Sequence, residues 1–485
     1  MKKWLNRALA LLVGSLEPPR HELNELDWKA ALSPDKKHLT EHLSALSNHP
    51  GGGFLVYGVD NSGNPVGIDD AEIEVAINQL ANLGRNAVEP PLALDHAVEN
   101  YGVARLLFVH VPESPVKPVH VRGKGLEYAF IRSGGTTRRA SRQEIGTLML
   151  HSRTPRWEEL RASVLLDEDA LLAKLSIDPI LAMLERPTPT SQDEMLLWLE
   201  GEGFVTREPA NGGYITNLGA IAAARKLSDF PDISRKAVRV VVYNGTNKAD
   251  MKLAQEGIKG YAISFQGLLQ FVMSQLPQSE IIEQALRVKR TVYPERALRE
   301  IIANALIHQD FSVTGTGPLV EIFDDRIEIS NPGGLLPSKQ LDRLIGTQPE
   351  SRNEQLARAF RRFRICEEQG SGLLKAGLDV ELYGLPPIKF EAGANHFKVT
   401  LLSPRTFAQM SPGERLDACY QHAVLKHLSG SAMTNKSLRE RLKMPEKQRS
   451  MVSTLIQEAL DRQRIKAADP ENKSRKFSEY VPIWA

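Results

Sequence analysis

Two groups of residues have side-chain types and spacings that could do chemistry. In the first, Glu22, Asp27 and Lys29 sit on a short strand-like segment, and Asp60 lies in the turn Gly58-Val59-Asp60-Asn61-Ser62-Gly63 that follows an apolar strand. Three carboxylates near a glycine-rich turn could hold Mn²⁺ or Mg²⁺ through oxygen ligands. Such an ion would activate water and neutralise phosphate charge, while Lys29 held the phosphate. The same residues also suit plain surface, because Asp-Asn-Ser-Gly is ordinary turn chemistry. In the second group, Glu300, Asn304 and His308 recur every fourth residue and so line one face of a helix. Away from water, the Asn304 amide oxygen can hold Mg²⁺, and Glu300 can orient or deprotonate an attacking water. The opposite flank, Leu298, Ile301, Ile302, Ala305 and Leu306, is apolar, as any half-buried helix would show.

Glycines follow. Asn331-Pro332-Gly333-Gly334 comes after a strand, and Gly370-Ser371-Gly372 comes before a helix. Such pairs let backbone N–H groups approach a phosphate. A basic stretch, Lys117, Arg122, Lys124, Arg132, Arg138, Arg139 and Arg142, is opposed nearby only by Glu127 and Glu144. On one face it would give salt-dependent, largely sequence-independent affinity for DNA or RNA. Near the C-terminus, Lys447 and Arg449 open a helical pattern with the same charge.

Several elements must position these groups. A chain of 485 residues exceeds what one core holds, so three or four domains are expected. The net charge of +2 gives no whole-chain argument for nucleic acid, so any basic face is local. Cys366 and Cys419 have neither metal-ligand nor disulfide-framework spacing, which favours a reducing, cytoplasmic setting. No run of about 18 apolar residues is present to span a membrane. The N-terminal apolar residues Leu5, Leu9, Leu12, Val13 and Leu16 fall on one helical face and read as a short docking helix.

The pattern predicts an α+β multidomain chain of four segments. Residues 1–155 mix strands and helices, 156–277 are rich in helices, 278–404 turn from a long helix to strands, and 411–485 read helix, helix, helix, strand. In the last segment a basic turn at 472–476 precedes the final strand, completing a winged-helix-like order.

The first segment resembles the Schlafen/AlbA-like domain. The matching residues are Glu22-(x4)-Asp27-Trp28-Lys29, Leu46-Ser47-Asn48-His49-Pro50-Gly51-Gly52-Gly53, and Gly58-Val59-Asp60-(x2)-Gly63. That resemblance implies nucleic-acid binding, and in the Schlafen branch a metal-dependent carboxylate trio that cuts RNA, here Glu22, Asp27 and Asp60. Asp27 departs from the family's usual Glu. Residues Pro294–Phe311, Asn331-Pro332-Gly333-Gly334-Leu335, Ser351-Arg352-Asn353 and Gly370-Ser371-Gly372 resemble a divergent GHKL-type ATP-binding domain, as in predicted bacterial regulators with a helicase-related label. There the resemblance implies ATP with Mg²⁺. It gives Asn304 the metal, Glu300 the water, and His308, Gly333, Gly334, Gly370 and Gly372 the nucleotide side. Asn331 stands where active relatives carry an Asp for adenine. An Asn carbonyl also accepts a hydrogen bond, but without charge.

Three functions fit these readings. The first is an ATP-binding regulator that holds nucleic acid. The second is a metal-dependent endoribonuclease, and the third a non-catalytic homo-oligomeric assembly.

Overall fold

The computed structural model describes every residue except 1, 19, 153–155, 209–211, 284–285, 368–369, 470 and 472–477, and no side chain is described at 3 or 278–290. The expected basic turn at 472–476 lies outside the described residues. Two compact units result, Met1–Arg156 and Trp157–Ala485. Among the described residues, no helix is long and apolar enough to cross a membrane.

In the first unit the elements run α1 (Lys3–Leu16), β1 (Leu26–Lys29), α2 (Lys36–Asn48), β2 (Gly53–Tyr57), α3 (Asp70–Asn86), β3 (Val88–Glu89) and β4 (Asp95–Tyr101). After these come β5 (Ala104–Val111), β6 (His120–Val121), β7 (Phe130–Ser133), β8 (Thr136–Arg139) and α4 (Arg142–Leu150). A four-stranded sheet has the order β1-β2-β5-β4, with β1 and β2 parallel and the other pairs antiparallel.

Alternation along β2 sorts its side chains between two layers. Phe54 and Val56 join Leu5, Ala8 and Leu12 of α1, whereas Leu55 and Tyr57 join Leu43 and Leu46 of α2 and Ile73 of α3. The first helix therefore docks by Leu5, Ala8 and Leu12, and Val13 stays exposed. Asp35 caps α2 by accepting from the backbone N–H groups of Lys37 and His38. The β7–β8 hairpin packs on the Glu22 segment. Gly135 donates its N–H to Asn24 Oδ1 at 3.0 Å. With φ at +77°, its would-be Cβ would lie 2.5 Å from the Glu22 carbonyl oxygen, so only glycine fits there.

The second unit opens with α5 (Glu168–Lys174), α6 (Asp178–Met183), α7 (Gln192–Gly201), β9 (Val205–Glu208), β10 (Gly212–Ile215), α8 (Asn217–Ala223) and α9 (Pro231–Ser234). It continues through β11 (Arg239–Tyr243), β12 (Met251–Glu256), α10 (Tyr261–Gln275), the antiparallel pair β13 (Gln278–Glu283) and β14 (Leu286–Thr291), and α11 (Glu295–His308). Next come β15 (Leu319–Ile322), β16 (Arg326–Pro332), α12 (Glu354–Arg362), α13 (Gly372–Leu382), β17 (Lys389–Ala392) and β18 (His396–Leu402). Last are α14 (Pro412–Leu428), α15 (Asn435–Arg441), α16 (Arg449–Asp461), β19 (Ile465–Ala467) and β20 (Tyr480–Pro482).

Six strands form one sheet, β12-β11-β15-β16-β18-β17, so the helix-rich segment lends two strands to the sheet of the segment after it. Valines and isoleucines on one face, among them Val240, Val320, Ile327, Ile329 and Val399, share a core with Leu298, Ile301 and Ile302 of α11. Phe265 of α10, Phe360 of α12 and Val380 of α13 complete it.

Helices α14 to α16 and the antiparallel β19–β20 pair have a second core around Cys419, Val424, Leu438, Val452 and Ile456. Ile345, from the loop before α12, is part of that core too. Tyr420 holds the same loop by donating its hydroxyl to the Asp342 carbonyl at 2.7 Å. At Gly346, a would-be Cβ would come within 2.4 Å of Leu428, so the loop backbone presses directly on α14.

Candidate functional site

Helix α11 is buried along most of its length, and Asn304 and His308 are the half-buried residues in its last two turns. They face a cavity of about 190 Å³ that lies wholly within the second unit. Glu300, Asn304 and His308 line it from the helix, Asn331 and Gly334 from the end of β16, and Gly370 and Gly372 from the entry to α13. Ile301, Ile329, Phe390, Phe397 and Val399 supply apolar surface. Seven of the residues singled out by motif thus share one cavity.

Gly333 does not line it. With φ at +95°, it turns the chain out of β16 beside Asp310, and its N–H donates to the Asn395 carbonyl at 2.8 Å. Glu368 and Gln369, which precede the second glycine pair in the sequence, lie outside the described residues.

The surroundings set the chemistry of each group. Glu300 is buried, and burial, followed by the charge of nearby Glu367, raises its carboxyl pKa above the usual value. A Cβ on Gly372 would stand 2.2 Å from Glu300 Oε2, so the glycine makes room for that carboxylate. Burial pushes the His308 imidazole down to about 4, with Arg352 and Lys339 adding to the shift, and the ring is neutral at pH 7. Asn331 is buried and donates Nδ2 to the Pro332 carbonyl at 3.0 Å, which leaves its own carbonyl oxygen as an acceptor. The Asn304 amide makes no hydrogen bond to another described side chain or backbone group, which suits a metal ligand.

Several residues of the wall were not among the expected site residues. Lys339 donates to Thr347 Oγ1 at 3.2 Å and pairs with Glu350 at 3.5 Å. Arg352 reaches the His308 carbonyl at 3.1 Å, the Gly334 carbonyl at 2.7 Å and Asp310 Oδ2 at 3.2 Å. Arg361 is half-buried at the cavity and pairs with no acid among the described residues. Leu344, beside Ile345, faces the cavity from the loop that Tyr420 holds.

In the first unit the expected carboxylate trio is not assembled. Among the described residues, no three His, Cys, Asp or Glu side chains are placed to share a metal ion. Asp60 is half-buried and bound up in its own turn, accepting from Ser62 N and Asn64 N at 2.8 Å each. Asp27 is buried, 1% exposed, with both oxygens committed. Oδ1 accepts from Lys29 Nζ at 2.8 Å, and Oδ2 from Arg132 at 2.9 Å and His42 Nδ1 at 2.8 Å. Burial opposes its charge, but the histidine, lysine and arginine together hold its pKa far below the usual carboxylate range. Lys29 also bonds Glu22, whose carboxyl burial and Asp27 push upward. Lys29 therefore closes an ion cluster instead of waiting for a phosphate.

Two members of the expected basic face are buried, and the cause is local. Arg132 points inward at the alternating position of β7 and pairs with Asp27, and Lys117 is folded onto Glu113 at 2.5 Å. Arg122, Lys124, Arg138, Arg139 and Arg142 are exposed. Arg138 is held bidentately by Glu144 at 2.7 and 3.0 Å. Lys124 and Arg139 both lie over the Tyr128 ring, 4.4 and 4.2 Å from its centroid. Lys447 and Arg449 are exposed at the start of α16.

A helix lying across a mostly antiparallel sheet, with polar groups and glycines around the cavity between them, defines a ligand-binding α/β unit. Residues 315–401 of it match the family model described as putative ATP-dependent DNA helicase recG C-terminal. Residues 22–141 match the Schlafen, AlbA_2 model. One polypeptide therefore carries a region similar to the Schlafen, AlbA_2 model and a region similar to the recG C-terminal model. None of the curated proteins matches it. Among solved structures, it is similar to the DIP2311 protein from Corynebacterium diphtheriae, with 15% identity, 99% of this chain and 96% of that one covered, and a TM-score of 0.44. It is also similar to the N-terminal domain of a putative ATP-dependent DNA helicase RecG-related protein from Nitrosomonas europaea, with 27% identity, 28% and 92% coverage, and a TM-score of 0.22.

Proposed function

We propose that this chain is a nucleic-acid-binding regulator whose second unit takes an adenine nucleotide with Mg²⁺. The convergence of Glu300, Asn304, His308, Asn331, Gly334, Gly370 and Gly372 on one cavity carries the reading. In it, the Asn331 carbonyl accepts from the adenine amino group, in place of a charged acceptor. The unbonded Asn304 amide ligates the metal, which supplies charge neutralisation at the phosphates. Lys339, Arg352 and Arg361 meet the remaining phosphate charge, and the glycines let backbone N–H groups come close. Glu300, made more basic by burial, orients water.

Nucleic acid is taken by the exposed arginines and lysines around Tyr128, where the ring adds a stacking surface to the charge. Helices α14 to α16 with the β19–β20 pair follow the order of a winged helix, and the exposed Lys447 and Arg449 begin the helix that such a fold places in a groove. Nucleotide occupancy then governs how these surfaces are presented. Isothermal titration with ATP, GTP and Mg²⁺ tests the reading. We expect saturable binding of ATP in preference to GTP, lost in Asn331→Leu. Equal heats for both nucleotides, or for the variant and the parent, would sink it.

A further inference from the structure

Two surfaces of the second unit take no part in the cavity, and each has what the other lacks. The first is a groove of about 590 Å³ on the C-terminal helices, a size at which sites hold ligands. Arg405, Arg415, Arg441 and Lys443 line it, and no acidic residue does among the described residues. Between these charges the wall is apolar: Met410 and Met444 are buried there, Phe407 is half-buried, and Met451 is exposed. Methionines on a concave surface adapt to irregular apolar side chains.

The four cations are not equal. Arg405 is tied to Glu414 at 2.9 Å and Arg441 to Glu381 at 3.0 Å. Arg415 donates Nε to the Phe407 carbonyl at 3.0 Å and Nη2 to the Ala408 carbonyl at 3.2 Å, and it pairs with no acid among the described residues. Lys443, exposed just after α15, likewise has no acid partner there. The groove thus combines an apolar lining with two positive charges that no described carboxylate balances. Arg415 also lies over the Phe407 ring, 4.5 Å from its centroid, so that face of the ring is closed to a stacking base. Such a groove suits an acidic peptide with apolar side chains better than it suits nucleic acid.

The second surface has that composition. Ala162 donates its N–H to the Ile215 carbonyl at 2.8 Å, and Leu166 donates to the Gly213 carbonyl at 2.9 Å. The chain therefore takes four steps, 162 to 166, where β10 takes two, 215 to 213. The surplus is pushed outward. Val164 is 77% and Leu165 43% exposed, while Ala162 and Leu166 pack on the core. Exposed Asp167, Glu168 and Asp169 follow directly. Asp167 caps α5 by accepting from Ala170 N at 2.8 Å. Glu168 has a long contact with Arg207 at 3.4 Å, and Asp169 accepts from the neutral Gln192 amide at 2.8 Å, so both keep charge to offer. None of residues 164–169 lines the groove of the same copy.

We infer that the stretch 164–169 of one copy seats in the groove of a second copy of this chain. Val164 and Leu165 meet the methionines, and burying them there releases free energy that a single copy forgoes. Glu168 and Asp169 meet Arg415 and Lys443. The contact is head-to-tail, because the groove and the stretch are different surfaces and each copy brings both. Assembly therefore continues past two copies until it closes as a ring or extends as a filament. Nothing in this contact depends on what the cavity binds.

The test follows the mass of the full chain by light scattering over rising concentration, with a fluorescein-labelled peptide of residues 161–170 as a second probe. The mass should climb above one copy, and added salt should lower it again. Arg415→Glu with Lys443→Glu reverses the groove, and Glu168→Lys with Asp169→Lys reverses the stretch. Each pair should leave single copies, and the groove pair should weaken peptide binding at least about 10-fold. Like charges face each other among copies of either variant, but a mixture of the two restores opposite charges at every contact and should assemble. If the groove pair fails to fold, Lys443→Glu and Val164→Ser, both at exposed residues, should each lower the assembled mass alone. A parent that stays a single copy overturns the inference, as does assembly that both reversed pairs retain or a mixture that stays apart. Peptide bound by a single-copy parent gives the groove to an acidic segment of another protein, and duplex DNA displacing that peptide gives it to nucleic acid. Either outcome overturns the copy-to-copy contact.

Discussion

In the second unit, the polar stripe of α11 opens onto a cavity, and residues far apart in sequence meet there. In the first unit, the carboxylates that looked like partners are separated, Asp60 into an exposed turn and Asp27 into a buried ion cluster. The difference comes from who satisfies each group. Asn304 is left without a hydrogen-bond partner among the described residues, which suits a ligand. Lys29, Arg132 and the His42 N–H occupy both oxygens of Asp27, and that leaves nothing for a metal ion to do. An unsatisfied polar group facing a cavity is better evidence of a site than a charged group in a suggestive motif.

Substitutions can break or sharpen this contrast. Asp27→Ala should have the largest effect, because it strands the fully buried Arg132 guanidinium together with His42. The loss is expected at about 3–5 kcal/mol for the first unit, read as a lowered denaturation midpoint with the nucleotide affinity of the second unit unchanged. Gly372→Ala drives a methyl into Glu300 and should cost about 1–3 kcal/mol in the second unit, together with ligand binding measured by calorimetry.

The pH dependence comes next. His308 has a folded pKa of about 4, below its unfolded value, so the stability linked to it is complete above pH 6.5 and is lost as pH falls toward 4. The expected loss is on the order of 2 kcal/mol, and a His308→Gln variant should show a flatter melting-temperature profile over that window. Asn304→Ala should move stability least, by less than about 0.5 kcal/mol, while weakening Mg²⁺–ATP at least about 10-fold in the same titration. A large stability loss there would make Asn304 part of the core, and the contrast between the units would fall.

What was legible in the sequence was local. Glu300, Asn304 and His308 could be placed together because helical period is a short-range property, and Asn331 and Gly334 because a strand end fixes its own turn. Lys339, Arg352 and Arg361 come from a loop and a helix whose position over the cavity is decided by packing, and no spacing announces them. Arg352 stood in a quoted motif, Ser351-Arg352-Asn353, which was the one available signal. Arg132 looked like surface because its charge was counted and its strand alternation was not. Its bond to Asp27 spans 105 residues. His42 was not singled out, because its bond to Asp27 joins α2 to β1 and no spacing announces it.

The loop held by Tyr420 and Leu428 has a consequence for dissection of the molecule. Leu344 belongs to the cavity wall, and its neighbour Ile345 to the core of the C-terminal helices. One stretch of backbone is thus masonry for two rooms. A chain ended after Leu402 would keep the sheet, α11 and every glycine around the cavity. It would lose Tyr420, Leu428 and the core that seats Ile345, so the outer wall would stand without its buttress. The C-terminal helices are therefore a structural dependency of the pocket as well as its neighbour, and studying the pocket calls for keeping them attached.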